Sequence, residues 1–181
     1  MDSHDLPILY KGAGPGTYWH TNDATQSGFT TQPGIANRNQ IVNHITANSR
    51  PPIYLSFTTS FAVAKRYALY GTSRATQANP GFVYSVNLMN MPNFNAYDPV
   101  AEISAGMLIH GHTGDQRLVV RIALDHKRAT TLQVDGPNGT KIVPSFSTEL
   151  RGLTFALRDA EIVIGGNVLA SAVIDKLSVQ W

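Results

Sequence analysis

Ile53-Tyr-Leu-Ser-Phe-Thr-Thr-Ser60 runs straight into Phe61-Ala-Val-Ala-Lys-Arg-Tyr-Ala68, and this stretch decides the fold. Ile53 to Thr58 is mostly β-branched or aromatic and follows the Pro51-Pro52 break, which predicts a strand. Ser60 stands where a helix N-cap belongs. Beyond it Phe61, Ala64 and Ala68 share one helical face, Val63, Tyr67 and Tyr70 share a neighbouring one, and Gly71 is a stop. A strand ending in Ser56-x-Thr58 beneath a helix start suits a planar, phosphorylated ligand.

With 181 residues, 43% hydrophobic and 14% charged, the chain reads as a single domain, 1–181, able to bury a sizeable core. No apolar run reaches the ~18 residues needed to span a bilayer, and Met1 to Asp5 is polar, unlike a secretory leader. The expectation is a soluble chain with no membrane partner. There is no cysteine, which excludes disulfides, thiol catalysis and thiolate metal sites. That composition suits a reducing cytosol, and equally a secretion machine that unfolds its cargo. Net charge is only +2, and Lys65-Arg66 and His126-Lys127-Arg128 read as solvated surface, so electrostatics alone do not argue for nucleic acid.

Working outward, Pro7 to Lys11 predicts a short opening strand that stops at the loop Gly12-Ala-Gly-Pro-Gly16. Ile41, Val42 and Ile45 fall at helical spacing, which predicts a helix over Ile35 to Ala47. Gly81 to Leu88 alternates as a strand and Asn90 to Pro99 is loop. A short helix is expected within Asp98 to His112. Strands follow at Arg117 to Leu124, Ala129 to Val134 and Thr140 to Val143, with a turn at Asp135 to Gly139. Ala160 to Ile164 is a strand closed by Gly165-Gly166, and Ala172 to Val179 supplies the last one. The expectation is an α+β domain, its helices mainly in the N-terminal half and its strands in two packed β-sheets.

Three separated segments carry residue types that bind and open a dinucleotide: Leu9-Tyr-Lys-Gly12, Tyr54-Leu-Ser-Phe-Thr58 and Asp159-Ala-Glu161-Ile-Val-Ile164. In order and in kind, they resemble the ADP-ribosyltransferase toxin superfamily, in particular its cholera-toxin-like branch. That branch has a strand ending in an aromatic residue and arginine, then an aromatic-x-Ser-x-Ser/Thr strand, then a Glu/Gln-x-Glu strand. Gly81 to Leu88 followed by Pro92-Asn-Phe-Asn-Ala-Tyr-Asp98 resembles the strand and loop that follow the Ser motif in enterotoxin-like members. The resemblance implies an ADP-ribosyltransferase-like fold in which two sheets form an NAD cleft.

The chemistry stands independently of the family. Breaking the bond between nicotinamide and its ribose builds positive charge on the sugar, which a nearby carboxylate stabilises. Glu161 is the candidate, because a charged residue among Ala160, Ile162 and Ile164 needs a reason. Glu102 and Glu149 lack the apolar strand and Gly-Gly that accompany it. Asp159, two residues earlier on the expected strand, would share Glu161's face; its position contacts the acceptor in the resembled family, as Glu or Gln. Ser56 and Thr58 share one side of their strand and, by resemblance, brace Glu161 and the ribose; satisfying the local backbone is their other role.

By resemblance Tyr54 stacks on nicotinamide, as an aromatic does in the superfamily's His-Tyr-Glu branch, and Tyr67 offers a second face; both also suit a core. Lys11 stands where the family keeps arginine and supplies charge without the guanidinium fork. A second alignment uses Tyr18-Trp-His-Thr21, placing His20 at the adenosine ribose; His20 and Thr21 are expected near the cleft, and Gly12 at the NAD phosphates. His110-Gly-His112 has no third ligand at matching spacing and reads as loop, so no metal is assigned.

The resemblance implies a mono-ADP-ribosyltransferase using NAD as co-substrate, a toxin or effector domain secreted or delivered into a target cell and acting in its cytosol. A macromolecular acceptor is expected, protein before nucleic acid, with a cognate immunity protein in the producer. NAD hydrolysis by the same residues, and a non-catalytic binding domain of the same fold, are the alternatives.

Overall fold

The computed structural model describes residues 8–34, 37–47, 52–92, 94–104, 118–124, 129–136, 139–144 and 148–181. Its strands are β1 (Leu9–Ala13), β2 (Tyr54–Thr58), β3 (Gly81–Val86), β4 (Asn95–Tyr97), β5 (Leu118–Leu124), β6 (Ala129–Gly136), β7 (Gly139–Pro144), β8 (Glu161–Gly165) and β9 (Val173–Val179). Its helices are α1 (Tyr18–Thr21), α2 (Ala24–Ser27), α3 (Arg38–Ala47), α4 (Phe61–Leu69), α5 (Pro99–Ser104) and α6 (Thr148–Asp159). Helix and sheet are mixed, as the α+β reading expects. The N-terminal residues to Pro7, the Asn48–Pro51 break, His110, His112 and the basic cluster at 126–128 lie outside the described residues, as does the centre of the 135–139 turn.

One six-stranded sheet, ordered β4-β8-β2-β1-β3-β9, has every neighbouring pair antiparallel; β5, β6 and β7 form a second, three-stranded sheet. Alternation along the strands divides the six-stranded sheet into two faces. Leu9, Leu55, Phe57, Tyr84, Ile162 and Ile164 build the main core on one face. Phe29 is fully buried there, edge-on to Trp19, Phe57 and Tyr84. The opposite face carries α3, α4 and α6.

Helix α4 begins as its sequence dictates, with the Ser60 hydroxyl accepting from the Val63 N–H at 3.4 Å. Ala64 and Ala68 are buried against Val83 and Val179. The helix lies on β1 and β3 because both strands offer glycine at the crossing: a Cβ on Gly12 would come within 2.0 Å of the Ala64 carbonyl, and one on Gly81 within 1.8 Å of the Ala68 carbonyl. Gly12 is therefore strand rather than loop, and β1 continues through Ala13. Helix α3 starts at Arg38, where the Asn37 side chain accepts from the Gln40 N–H at 2.9 Å.

Four of the six helices among the described residues fall in the N-terminal half, as expected, while α6, the longest of them, spans Thr148–Asp159. It packs on α3 and α5 with Gly152 at the contact, where an added Cβ would sit 3.4 Å from Ile103 and from Thr46. The cleft, however, is not formed between two sheets: among the described residues it is walled by helices on one face of the six-stranded sheet. No helix among the described residues is long and apolar enough to cross a membrane.

Candidate active site

β1 and β2 pair only at Tyr10 opposite Thr58, whereas β2 and β8 pair along their whole length, Tyr54 opposite Gly165 through Thr58 opposite Glu161. A cleft of about 370 Å³ opens over this part of the sheet, within the range of small-ligand sites. Gly12, Ser56, Thr58 and Glu161 line its floor; Val63, Ala64 and Tyr67 of α4 line one wall; His44 of α3 and Phe155, Arg158 and Asp159 near the end of α6 line the other.

Glu161 is 9% exposed at the start of β8. Its carboxyl is pushed up to about 7, chiefly by burial; the Asp159 charge adds to the rise, and the Ser56 hydroxyl, Lys11 and Arg158 oppose it. Ser56 stands beside that carboxyl, and its hydroxyl lies 2.8 Å from His44 Nε2. Burial, helped by Lys11, drives the imidazole down to about 4, so His44 is neutral. His44, Ser56 and Glu161 thus meet in one cleft, with His44 bonded to Ser56.

Lys11 donates to the Ser56 carbonyl at 2.8 Å. Burial pulls its ammonium down to about 8 against the attraction of Glu161. The three segments singled out from the sequence thus meet: residues 11, 56 and 161 share one cleft. Thr58 also lines it while accepting from the Ser60 N–H at 3.0 Å, so its hydroxyl serves the strand-to-helix turn.

Asp159 corrects the strand reading. It is the last residue of α6, and Ala160 then adopts a positive φ of 45°. That left-handed residue reverses the chain before β8 begins, so the rule that residues two apart share a strand face does not apply. Asp159 instead accepts from Arg66 Nη2 at 2.9 Å, from Arg158 Nε at 2.7 Å and Nη2 at 2.5 Å, and from the Tyr67 hydroxyl at 2.5 Å. Tyr67 lines the cleft, but its hydroxyl is committed to Asp159 and is raised to about 12, first by burial and then by that carboxylate.

Tyr54 and His20 lie away from the cleft. Tyr54 is 2% exposed, packed with Ile41 and Val163, and its hydroxyl accepts from the Asn37 N–H at 3.1 Å. It shares the strand face of Ser56, but α3 covers that end of β2, leaving no face for stacking. The turn at Gly14 to Gly16 carries α1 away from the cleft; His20 stacks on Phe82 with centroids 5.1 Å apart and meets the Pro80 carbonyl at 2.9 Å. Thr21 caps its own turn through the Tyr18 carbonyl at 3.0 Å.

Sequence reading missed His44 and Arg158. His44 lies between Ile41 and Ile45 on a helix whose inward face is apolar, a signal for burial but not for its partner. No group of three or more histidine or acidic side chains among the described residues is arranged to hold a metal ion. Comparison with models of protein families, with curated proteins and with solved structures returned no match.

Proposed function

We propose that this chain cleaves the nicotinamide–ribose bond of NAD and transfers ADP-ribose to a macromolecular acceptor, protein before nucleic acid, as a mono-ADP-ribosyltransferase. The observation that carries the reading is the buried Glu161 at the floor of the cleft, beside Ser56 and faced by the Lys11 charge. As the ribose C1′–N bond breaks, its electron pair leaves with nicotinamide, which becomes neutral, and C1′ becomes cationic. Ionised Glu161 stabilises that cation in a site of low polarity, where fixed charge acts most strongly. The acceptor's lone pair then forms the new bond to C1′, and its proton passes to the carboxylate or to solvent. Lys11 supplies positive charge that favours the ionised form of Glu161. The finer assignments, an ADP-ribosyltransferase-like fold and a toxin or effector acting in a target cell's cytosol with an immunity protein in its producer, belong to the same proposal.

The test is incubation of the purified protein with NAD labelled in its adenylate, with and without a cell lysate, measuring nicotinamide release and the fate of the label. Label in protein supports transfer, and rapid nicotinamide release without lysate assigns water as the acceptor. Glu161→Gln should lower turnover by roughly a hundredfold or more. Unchanged turnover would overturn the role given to Glu161, and no nicotinamide release by the wild-type protein would leave a non-catalytic binding domain as the account.

A further inference from the structure

Four hydrogen bonds converge on the carboxylate of Asp159, from Arg66 and Tyr67 of α4 and from Arg158 of α6. Arg158 grips it with a two-pronged fork, Nε on one oxygen and Nη2 on the other, and also donates from Nη2 to the Tyr67 hydroxyl at 3.0 Å. A guanidinium fork makes the same pair of bonds to a phosphate as to a carboxylate. The arginines come from opposite walls of the cleft, and Arg158, Tyr67 and Asp159 all line it.

The two arginines carry more positive charge than one carboxylate cancels. Arg158 is held in place for this role: its guanidinium lies 4.7 Å from the Phe155 ring centroid, and its side chain is 9% exposed. Arg66 is 37% exposed and lies 5.5 Å from the Tyr67 ring centroid, free to follow an incoming group. Asp159 follows Arg158 directly and precedes the left-handed Ala160, so it enters from the chain end of the wall.

We infer that Arg66, Arg158 and Tyr67 form a binding site for a diphosphate group, which Asp159 fills as an internal stand-in until the ligand displaces it. The ligand class is a nucleoside diphosphate or a molecule containing one. This rests on the dinucleotide reading of the cleft and deepens it: the phosphates are held at the α4–α6 side, and Asp159 sets the affinity rather than touching the acceptor.

The test is calorimetric titration of the intact protein with ADP, with inorganic pyrophosphate as competitor. Asp159→Asn should tighten ADP binding about tenfold, because the amide removes the competing charge. Arg66→Gln should weaken it about tenfold and flatten its salt dependence. Arg66 is the more exposed arginine, so this variant keeps the test informative if Arg158 variants fail to fold. Tyr67→Phe should weaken ADP binding several-fold. An ADP affinity within twofold of wild type in both Asp159→Asn and Arg66→Gln would overturn the inference, leaving a structural ion-pair network. The two readings fail separately. Tighter ADP binding by Asp159→Asn without NAD turnover keeps the diphosphate site and removes the reaction, whereas Glu161-dependent turnover with unaltered ADP binding does the reverse.

Discussion

Replacing Glu161 by glutamine should stabilise the protein more at pH 8 than at pH 5. Folding raises this carboxyl from its ordinary 4.5 to about 7, chiefly because the site is buried. Below 4.5 the group is protonated in both folded and unfolded chains, and the stability it contributes is fully present. As pH rises through 4.5 toward 7 the unfolded chain ionises first, and stability is lost until the folded carboxyl ionises too. At about 1.4 kcal/mol per pH unit, the ionised group costs the folded protein about 3 kcal/mol above pH 7. Glutamine keeps the shape without the charge. Lys11's attraction is already contained in that rise, and about 1 kcal/mol of the cost is present at pH 5, so the variant should be stabilised at pH 8 by about 2 kcal/mol more than at pH 5. Urea denaturation of both proteins at the two pH values measures this directly. Equal effects at both, or a destabilisation that deepens with pH, would refute the reasoning. Stabilisation combined with lost turnover is the signature of a carboxylate retained for chemistry rather than for folding.

Nicotinamide release should follow a bell-shaped pH profile, rising as Glu161 ionises near 7 and falling as Lys11 loses its proton near 8. Lys11→Arg should abolish the alkaline limb, because a guanidinium does not titrate there; a limb left in place would assign it to another group. Ala160→Gly should raise the melting temperature, since alanine at φ 45° carries a left-handed penalty of about 1 kcal/mol that glycine relieves. Gly12→Ala should cost about 1–3 kcal/mol in denaturant titration, because its Cβ would meet the Ala64 carbonyl at 2.0 Å and lift α4 from β1.

The elements read correctly from the sequence are those whose signals are local. The Ser60 cap, the Ala64 and Ala68 face and the alternation of Gly81 to Val86 each need only near neighbours. Helix α6 was not read from the sequence, and its packing against α3 and α5 is visible only in the fold. Asp159 lines the cleft with Glu161 but does not share its strand, for a backbone reason: a helix end and one left-handed alanine occupy the place of an expected strand residue. Tyr54 was expected to stack on nicotinamide, but α3 covers the sheet at Tyr54 and leaves it open at Thr58.

Glu161 was singled out as an isolated acid beside apolar strand positions, and Lys11 and Ser56 by the resemblance of their segments to a known family. Their meeting in one cleft was decided by pairing across 45 residues for Lys11 and Ser56 and by the β2–β8 register for Ser56 and Glu161. Tertiary packing alone brought His44 to Ser56, gave Asp159 its two arginines and buried Glu161 until its carboxyl rose toward 7. Burial and charge proximity are properties of neighbours in space, and a chain acquires those neighbours only when it folds.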